Sequence, residues 1–314
     1  MQTVKLGNSS LESSRIAYGC WRSAGTSDPS EVTPENREAG LRAIIAAYEA
    51  GYTLFDNAEI YCRGVCEEIL GRALREVSGM RGRVIVATKC GIRVPGDPTP
   101  EAPKRYDFSG EYIVRACEGS LRRLGIETID LYMLHRPDYL ADPHEIAGAF
   151  LQLHDAGKVR FSGVSNFRPS LVSALQAACP LPLIVNQVEI SLAKLDCFTD
   201  GTLDQCLERH ITPLAWSPLG GGFLASGAIL RLPPEKQRHA RAVITTLDEM
   251  AEKRGVSRAA LAVAWLLKHP SRMVPIIGSN QPDRIRDLAR AADLELSREE
   301  WYQLLNAARG EPLP

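Results

Sequence analysis

Arg83-Val84-Ile85-Val86-Ala87-Thr88-Lys89 sets a short apolar, β-branched run directly against a cation. The run is too short for a helix and shows no polar alternation, so it reads as a strand buried on both faces. Seven more such runs occur, at residues 15–19, 52–55, 128–133, 159–164, 183–187, 211–215 and 273–277. Between them the period changes to that of a helix: Leu41, Ile44, Ile45 and Tyr48 follow i, i+3, i+4, i+7, and after Ile113 the residues Cys117, Ser120, Leu121 and Leu124 do the same before Gly125. Asn36 is placed at the start of the first core helix. Pro169 and Pro282 open later helices, and Ser257 reads as an N-cap. Eight strands, each followed by a helix, predict an α/β chain of the (β/α)8 TIM-barrel class.

The 314 residues fit that reading, because a barrel core takes ~250 and long loops account for the rest. An open doubly wound sheet would need a glycine-rich turn after an early strand. The first strand runs instead into Tyr18-Gly19-Cys20-Trp21, and no GxGxxG occurs. No low-complexity linker divides the chain, so residues 1–314 read as one barrel domain. A short hairpin is expected at residues 4–14, turned at Gly7-Asn8 and closing the bottom of the barrel. Residues 91–110 and 219–240 form long excursions after strands three and seven. Both hang over the C-terminal mouth, where loops of that size cover a ligand.

Lysine plus arginine (37) and aspartate plus glutamate (38) leave a net charge of −1, which argues against a nucleic-acid partner. No run of 18 apolar residues points to a membrane span, and Met1–Leu11 lacks the apolar stretch of a secretory leader; a cytoplasmic location is expected. The 8 cysteines are scattered and read as free thiols in a reducing compartment. Cys62 and Cys66 are spaced to share a helix face, but no further ligand follows at metal-site spacing, so no metal is expected. A monomer is expected, with oligomers left open.

Charged residues belong where barrel strands emerge. Asp56 follows Leu54-Phe55, Lys89 ends the run quoted above, and His135 follows Leu131-Tyr132-Met133-Leu134. Each alone has an ordinary reading: a loop cap, a solvated lysine, a hydrogen-bonded histidine. Three in succession at C-terminal strand ends point to a shared site. Tyr61, five residues after Asp56, has a short chain on which to turn back over the mouth. An ammonium beside a phenol favours its anion, and a carboxylate holds that ammonium charged. A histidine beside them can orient a substrate oxygen. The set is equipment for protonating an alkoxide as it forms, without a covalent nucleophile.

The order Asp56, Tyr61, Lys89, His135 resembles the catalytic tetrad of the aldo-keto reductase family. Gly51-Tyr52-Thr53-Leu54-Phe55-Asp56-Asn57-Ala58-Glu59-Ile60-Tyr61 is similar to that family's aspartate-to-tyrosine signature. Leu124-Gly125, with Ile129-Asp130-Leu131-Tyr132-Met133-Leu134-His135, is similar to its second signature. The stretch from Gly157-Lys158 to Val164-Ser165-Asn166-Phe167 is similar to its fifth-strand segment. The likeness runs from about residue 6 to 305 and is greatest to bacterial, YdhF-like oxidoreductases.

The resemblance implies a nicotinamide dinucleotide across the mouth. Ser165, Asn166 and Gln187 would meet its carboxamide, which offers both donor and acceptor edges. Trp216 would stack on the ring where the family often has tyrosine, and Ser217-Pro218-Leu219-Gly220 would hold the pyrophosphate. Gly278-Ser279-Asn280 and Arg284 would meet a 2′-phosphate, which favours NADPH over NADH, although many NADPH-binding relatives carry lysine where this chain has Gly278. Trp21, Arg22, Cys62, Arg63 and Cys90 are expected around the substrate, with His135 and Trp216 at its base. The implied activity is NADPH-dependent reduction of a small aldehyde or ketone to an alcohol, the proton coming from Tyr61. A nicotinamide-binding regulatory or redox-sensing subunit with little turnover is the alternative. A sugar-phosphate isomerase on the same fold would not need Asn166, Gln187 and Trp216.

Overall fold

A computed structural model describes residues 1–229, 234–311 and 313. The chain opens with an antiparallel hairpin, β1 (Thr3–Lys5) and β2 (Glu12–Ser14). Eight parallel strands then close into a barrel. They are β3 (Ala17–Gly19), β4 (Leu54–Asp56), β5 (Ile85–Cys90), β8 (Ile129–Leu134), β9 (Val159–Ser165), β10 (Leu183–Glu189), β11 (Thr212–Trp216) and β12 (Val274–Ile277). Strand β12 pairs back onto β3 through Ile276 opposite Ala17, which completes the closure. The two remaining strands, β6 (Ile92–Arg93) and β7 (Arg105–Tyr106), pair antiparallel inside the long excursion after β5.

Helices alternate with the barrel strands: α1 (Pro34–Glu49), α2 (Val65–Glu76), α3 (Gly110–Leu124), α4 (Pro143–Asp155), α5 (Pro169–Ala178) and α6 (Thr202–Arg209). After β11 come α7 (Phe223–Ser226), α8 (Pro234–Arg254) and α9 (Arg258–Leu267). After β12 come α10 (Pro282–Ala289) and α11 (Arg298–Arg309). Among the described residues, no helix is long and apolar enough to cross a membrane.

Two apolar layers follow from the period of two along each strand. Ala17, Leu54, Ala87, Leu131, Met133, Leu214 and Val274 pack inside the barrel. Tyr18, Phe55, Val86 and Tyr132 turn outward to the helices. The hairpin joins the inner layer through Val4, Leu6 and Leu11, and its Gly7 N–H donates to Thr212 Oγ1 at 2.8 Å. Inside the wall a Cβ on Gly163 would lie 2.4 Å from Val185 Cγ2, so only glycine lets β9 and β10 approach there. At the far end, Trp265 and Trp301 stack with centroids 5.1 Å apart and exchange indole N–H bonds to each other's carbonyls, fastening α11 to α9.

Three local expectations shift. Helix α1 begins at Pro34, not Asn36. Thr33 caps it, and Asn36 is the third helical residue, closing a reciprocal capping box with Thr33. The excursion after β11 ends earlier than residue 240, because α8 starts at Pro234, a residue suited to a first turn. Cys62 and Cys66 do not share a helix: Cys62 lies in a left-handed turn before α2, and Cys66 lies within it. All 8 cysteines are free and buried.

Candidate active site

Strands β4 and β5 bring Asp56 and Lys89 to the C-terminal rim: Asp56 lies opposite Ala87, and Lys89, two residues further on, faces the same way. The Lys89 ammonium is fully buried and lies 2.8 Å from Asp56 Oδ1. It donates to the Asn57 carbonyl at 2.6 Å and to Tyr61 Oη at 3.1 Å. Burial alone would pull its pKa down, but Asp56 and Tyr61 outweigh that and hold the ammonium above its ordinary value. Lys89 is therefore a fixed cation whose three donors all have acceptors.

Tyr61 reaches Lys89 because the chain turns sharply after it. Cys62 and Arg63 adopt φ of 46° and 48°, a left-handed conformation that L-residues avoid, and Gly64 follows with φ 95°. Consecutive non-glycine residues in this region mark strain at a functional turn. Burial pushes the Tyr61 phenol up, and the Lys89 charge opposes this without cancelling it. The expected lowering of the phenol by Lys89 is thus real as a pull, but burial wins. The phenol is a stored proton rather than a phenolate.

His135 meets Tyr61 edge-on, with ring centroids 5.7 Å apart. Burial, then Lys89 and Arg136, holds the imidazole well below its ordinary pKa, so it is neutral near pH 7. Its Nδ1 is buried without a hydrogen-bond partner among the described residues. A neutral imidazole with an unused polar atom, facing a phenol, is suited to a substrate oxygen.

The amide-bearing residues converge on the same rim. Trp216 Nε1 donates to Asn166 Oδ1 at 3.0 Å, and Asn166 Nδ2 donates to the His135 carbonyl at 3.2 Å. Asn166 adopts φ 62° and does not cap α5, whose N-cap is Arg168. Ser165 Oγ donates to the Gln187 carbonyl at 2.9 Å. Gln187 Nε2 donates to Asp56 Oδ1 at 2.8 Å, so this side chain supports the carboxylate as well as facing the mouth. Ser217 and Gly220 take left-handed φ of 51° and 56°, and the Gly220 N–H closes a turn onto the Ser217 carbonyl at 2.8 Å; Pro218 and Leu219 lie between them. Successive turn amides of this kind make an anion-binding concavity.

Ser279 and Asn280 lie against the start of the chain. Tyr18 donates its hydroxyl to the Ser279 carbonyl at 3.1 Å, and Asn280 Nδ2 donates to the Arg22 carbonyl. The residues read separately as cofactor and substrate ligands are thus neighbours. Arg284 is exposed on α10 and has no ion pair among the described residues. Gly278 takes no left-handed φ, and a Cβ there would meet only the Gly19 carbonyl, at 3.5 Å.

Of the expected substrate residues, Trp21 is 57% exposed, with the Arg22 guanidinium 5.6 Å from its ring. Arg63 is exposed beside the Tyr61 turn. Cys62 is buried on the flank, where the charges around it are Arg37, Asp28, Glu31 and Glu68. Cys90 is a correction. It alternates with Lys89, so its thiol points outward and packs with Cys117 and Tyr132 in the helical layer, away from the mouth. Arg136 was not singled out in sequence. Its guanidinium lies 5.3 Å from the Trp216 ring, and its position directly after His135 at a strand end was the available signal.

The donor set fits a nicotinamide dinucleotide: amides beside an indole, turn amides directly after that indole, and on α10 a guanidinium with no ion pair among the described residues. Comparison with known proteins agrees. Residues 15–308 match the model of the aldo/keto reductase family. The 6-dehydroglucose reductase of Agrobacterium fabrum is 39% identical over 312 residues, covering 99% of both chains. Oxidoreductase YdhF of Escherichia coli is 34% identical over 318 residues, covering 100% of both. The glycerol dehydrogenase structure from Gluconobacter oxydans superposes with a TM-score of 0.86 at 28% identity, covering 99% of this chain and 97% of that one.

Proposed function

Because the chain belongs to the aldo-keto reductase family of nicotinamide-dependent carbonyl oxidoreductases, we propose that it uses NADPH to reduce a small polyhydroxylated aldehyde or ketone to the alcohol. One observation carries the assignment of roles: a single buried ammonium, Lys89, touches both Asp56 and Tyr61. When bound, the dinucleotide supplies hydride to the carbonyl carbon. Everything else falls to the chain. Tyr61 gives its proton to the carbonyl oxygen as negative charge grows there. Lys89 stabilises the phenolate left behind, and Asp56 keeps Lys89 charged and still. The neutral His135 orients the carbonyl by a hydrogen bond and brings no competing charge.

Ser165, Asn166 and Gln187 would hold the carboxamide, Trp216 would stack on the ring, and the turn from Ser217 to Gly220 would take the pyrophosphate. Gly278, Ser279, Asn280 and Arg284 would surround the 2′-phosphate, which only NADPH carries. Trp21, Arg22 and Arg63 would form the outer substrate wall, and Arg136 would offer donors to hydroxyl groups near the carbonyl. The polyhydroxylated class is supported by two similar proteins, one named as a 6-dehydroglucose reductase and one as a glycerol dehydrogenase.

The test is NADPH oxidation by purified protein across a panel of sugar-derived and simple aldehydes, repeated with Tyr61→Phe. Turnover on the sugar-derived members, falling ~10²–10⁴-fold in the variant while dinucleotide binding persists, supports the reading. Equal rates in the two proteins remove Tyr61 from its role. Dinucleotide binding without turnover of any carbonyl favours a regulatory subunit.

A further inference from the structure

A second cavity, of about 390 Å³, lies outside the barrel between α3 and the excursion that carries β6 and β7. No member of the tetrad and none of the proposed cofactor residues lines it. Two small residues of α3, Ala116 and Gly119, open its floor. Around them stand four guanidinium groups, from Arg93, Arg115, Arg122 and Arg123, against two carboxylates, Glu59 and Asp97.

The four cations are not equally committed. Arg93 is held by Asp97 at 2.6 Å and Asp107 at 2.8 Å, and Arg123 is held by the buried Glu67 at 2.7 Å. Among the described residues Arg115 pairs only with Glu111, and both side chains are mostly in solvent, at 55% and 85% exposure, so that pair is weak and readily exchanged. Arg122 has no hydrogen bond or ion pair among the described residues; the nearby Glu118 carboxylate is taken by Lys158 at 2.7 Å. Arg115 and Arg122 are two helical turns apart, about 10 Å along the axis, and the Arg123 guanidinium lies over Gly119 between them, 3.1 Å from where a Cβ would stand. The Tyr112 ring lies under both Arg93 and Arg115, at 4.4 and 5.4 Å, and so aims Arg115 along the cavity wall. Two guanidinium groups that line one cavity and are held by no buried carboxylate can take the oxygens of a small carboxylate or phosphate.

We propose that this cavity is a second ligand site, separate from the barrel mouth, that binds a small oxyanion through Arg115 and Arg122. Its walls are fastened to the strand that carries Lys89. Glu59 accepts from the Gly91 N–H and the Tyr112 hydroxyl, both at 2.8 Å, and Glu67 accepts from Thr88 Oγ1 at 2.5 Å. Occupancy therefore has a short mechanical route to the active site.

The test is calorimetric titration of the protein with inorganic phosphate and, separately, malonate, at constant ionic strength. It is repeated on the Arg115→Ala/Arg122→Ala double variant and on Arg284→Ala, which probes the cofactor end of the mouth. The expected result is saturable binding of at least one anion, weakened about tenfold or more in the double variant and retained in Arg284→Ala. The two anions report whether phosphate or carboxylate is preferred. Both substituted arginines are on the outer face of α3, and circular dichroism and carbonyl turnover check that the double variant is folded. The proposal is overturned by absence of saturable binding in the native protein, by equal affinity in the double variant, or by loss confined to Arg284→Ala.

Discussion

Gln187 donates from Nε2 to Asp56 Oδ1 at 2.8 Å, joining β10 to β4 across the mouth of the barrel rather than along its wall. The two strands are not neighbours in the closed sheet, so the bond exists only when the barrel is complete. It holds Oδ1 of the carboxylate, while the Lys89 ammonium lies 2.8 Å from the same oxygen and donates to Oδ2 at 2.9 Å. Gln187→Met keeps the volume but removes this donor to a charged acceptor. The expected loss is about 1.5–3 kcal/mol of stability, read from urea unfolding. A stability unchanged within error would show that the bond contributes nothing net.

The proton inventory makes a prediction about rate against pH. The Tyr61 phenol is held above its ordinary value by burial, and His135 is held neutral by burial and by Lys89. Neither group changes charge between about pH 6 and pH 8. Carbonyl reduction measured as kcat/KM is expected to be flat across that interval and to fall only on the alkaline side, as the phenol loses its proton. A sigmoidal change near pH 6.5 would assign a titrating role to His135 that this geometry denies it.

Glu59 supplies an opposite case. Burial pushes its carboxyl up to about 7, with the Gly91 N–H and Tyr112 hydroxyl pulling the other way. A folded-state pKa above the unfolded one means that the folded protein binds the extra proton between about pH 4.5 and pH 7. Stability from this group is therefore present at low pH and lost as pH rises through that window. Glu59→Gln stays neutral throughout, so its Tm is expected to gain on that of the native protein between about pH 5 and pH 8. A difference in Tm that is constant with pH would contradict this.

The family resemblance sets Gly278 where many NADPH-binding members carry lysine, and the backbone there tolerates a side chain: no left-handed φ and, among the described residues, one atom, at 3.5 Å, near a Cβ. Gly278→Lys is expected to tighten NADPH binding about tenfold and leave NADH nearly unchanged, because only NADPH has the extra phosphate. Arg284→Ala is expected to narrow the gap from the other side. Fluorescence titration with both reduced dinucleotides measures each. Equal tightening of the two cofactors would move the 2′-phosphate away from Gly278.

The barrel was legible because each strand is a compact apolar run, and Asp56, Lys89 and His135 stood out because they interrupt those runs at their ends; Tyr61 lies outside the strands and followed only from its short distance to Asp56 and from the resemblance. Cys90 was misplaced although the rule for placing it was at hand: strand side chains alternate, and Lys89 had already claimed the mouth. Asp130 shows a different limit. It sits inside β8, where an apolar residue is expected, and is 1% exposed. Arg81 and Arg160 hold it at 2.8 and 2.9 Å, and the Val86 N–H donates to it at 2.9 Å. Partners from three separate segments make that charge tolerable, and no local pattern announces them. The support that Gln187 gives Asp56 is hidden for the same reason.

The hairpin that plugs the barrel floor also decides how the molecule meets anything attached to it. Val4, Leu6 and Leu11 sit at the end opposite Lys89 and His135, and Met1 packs near Gly51, where an added Cβ would lie 3.7 Å from Met1 Cβ, on the turn that feeds β4 from below. A surface, bead or fused protein joined at Met1 therefore sits on the underside. The protein then stands with its mouth turned outward, and substrate and dinucleotide approach from open solution.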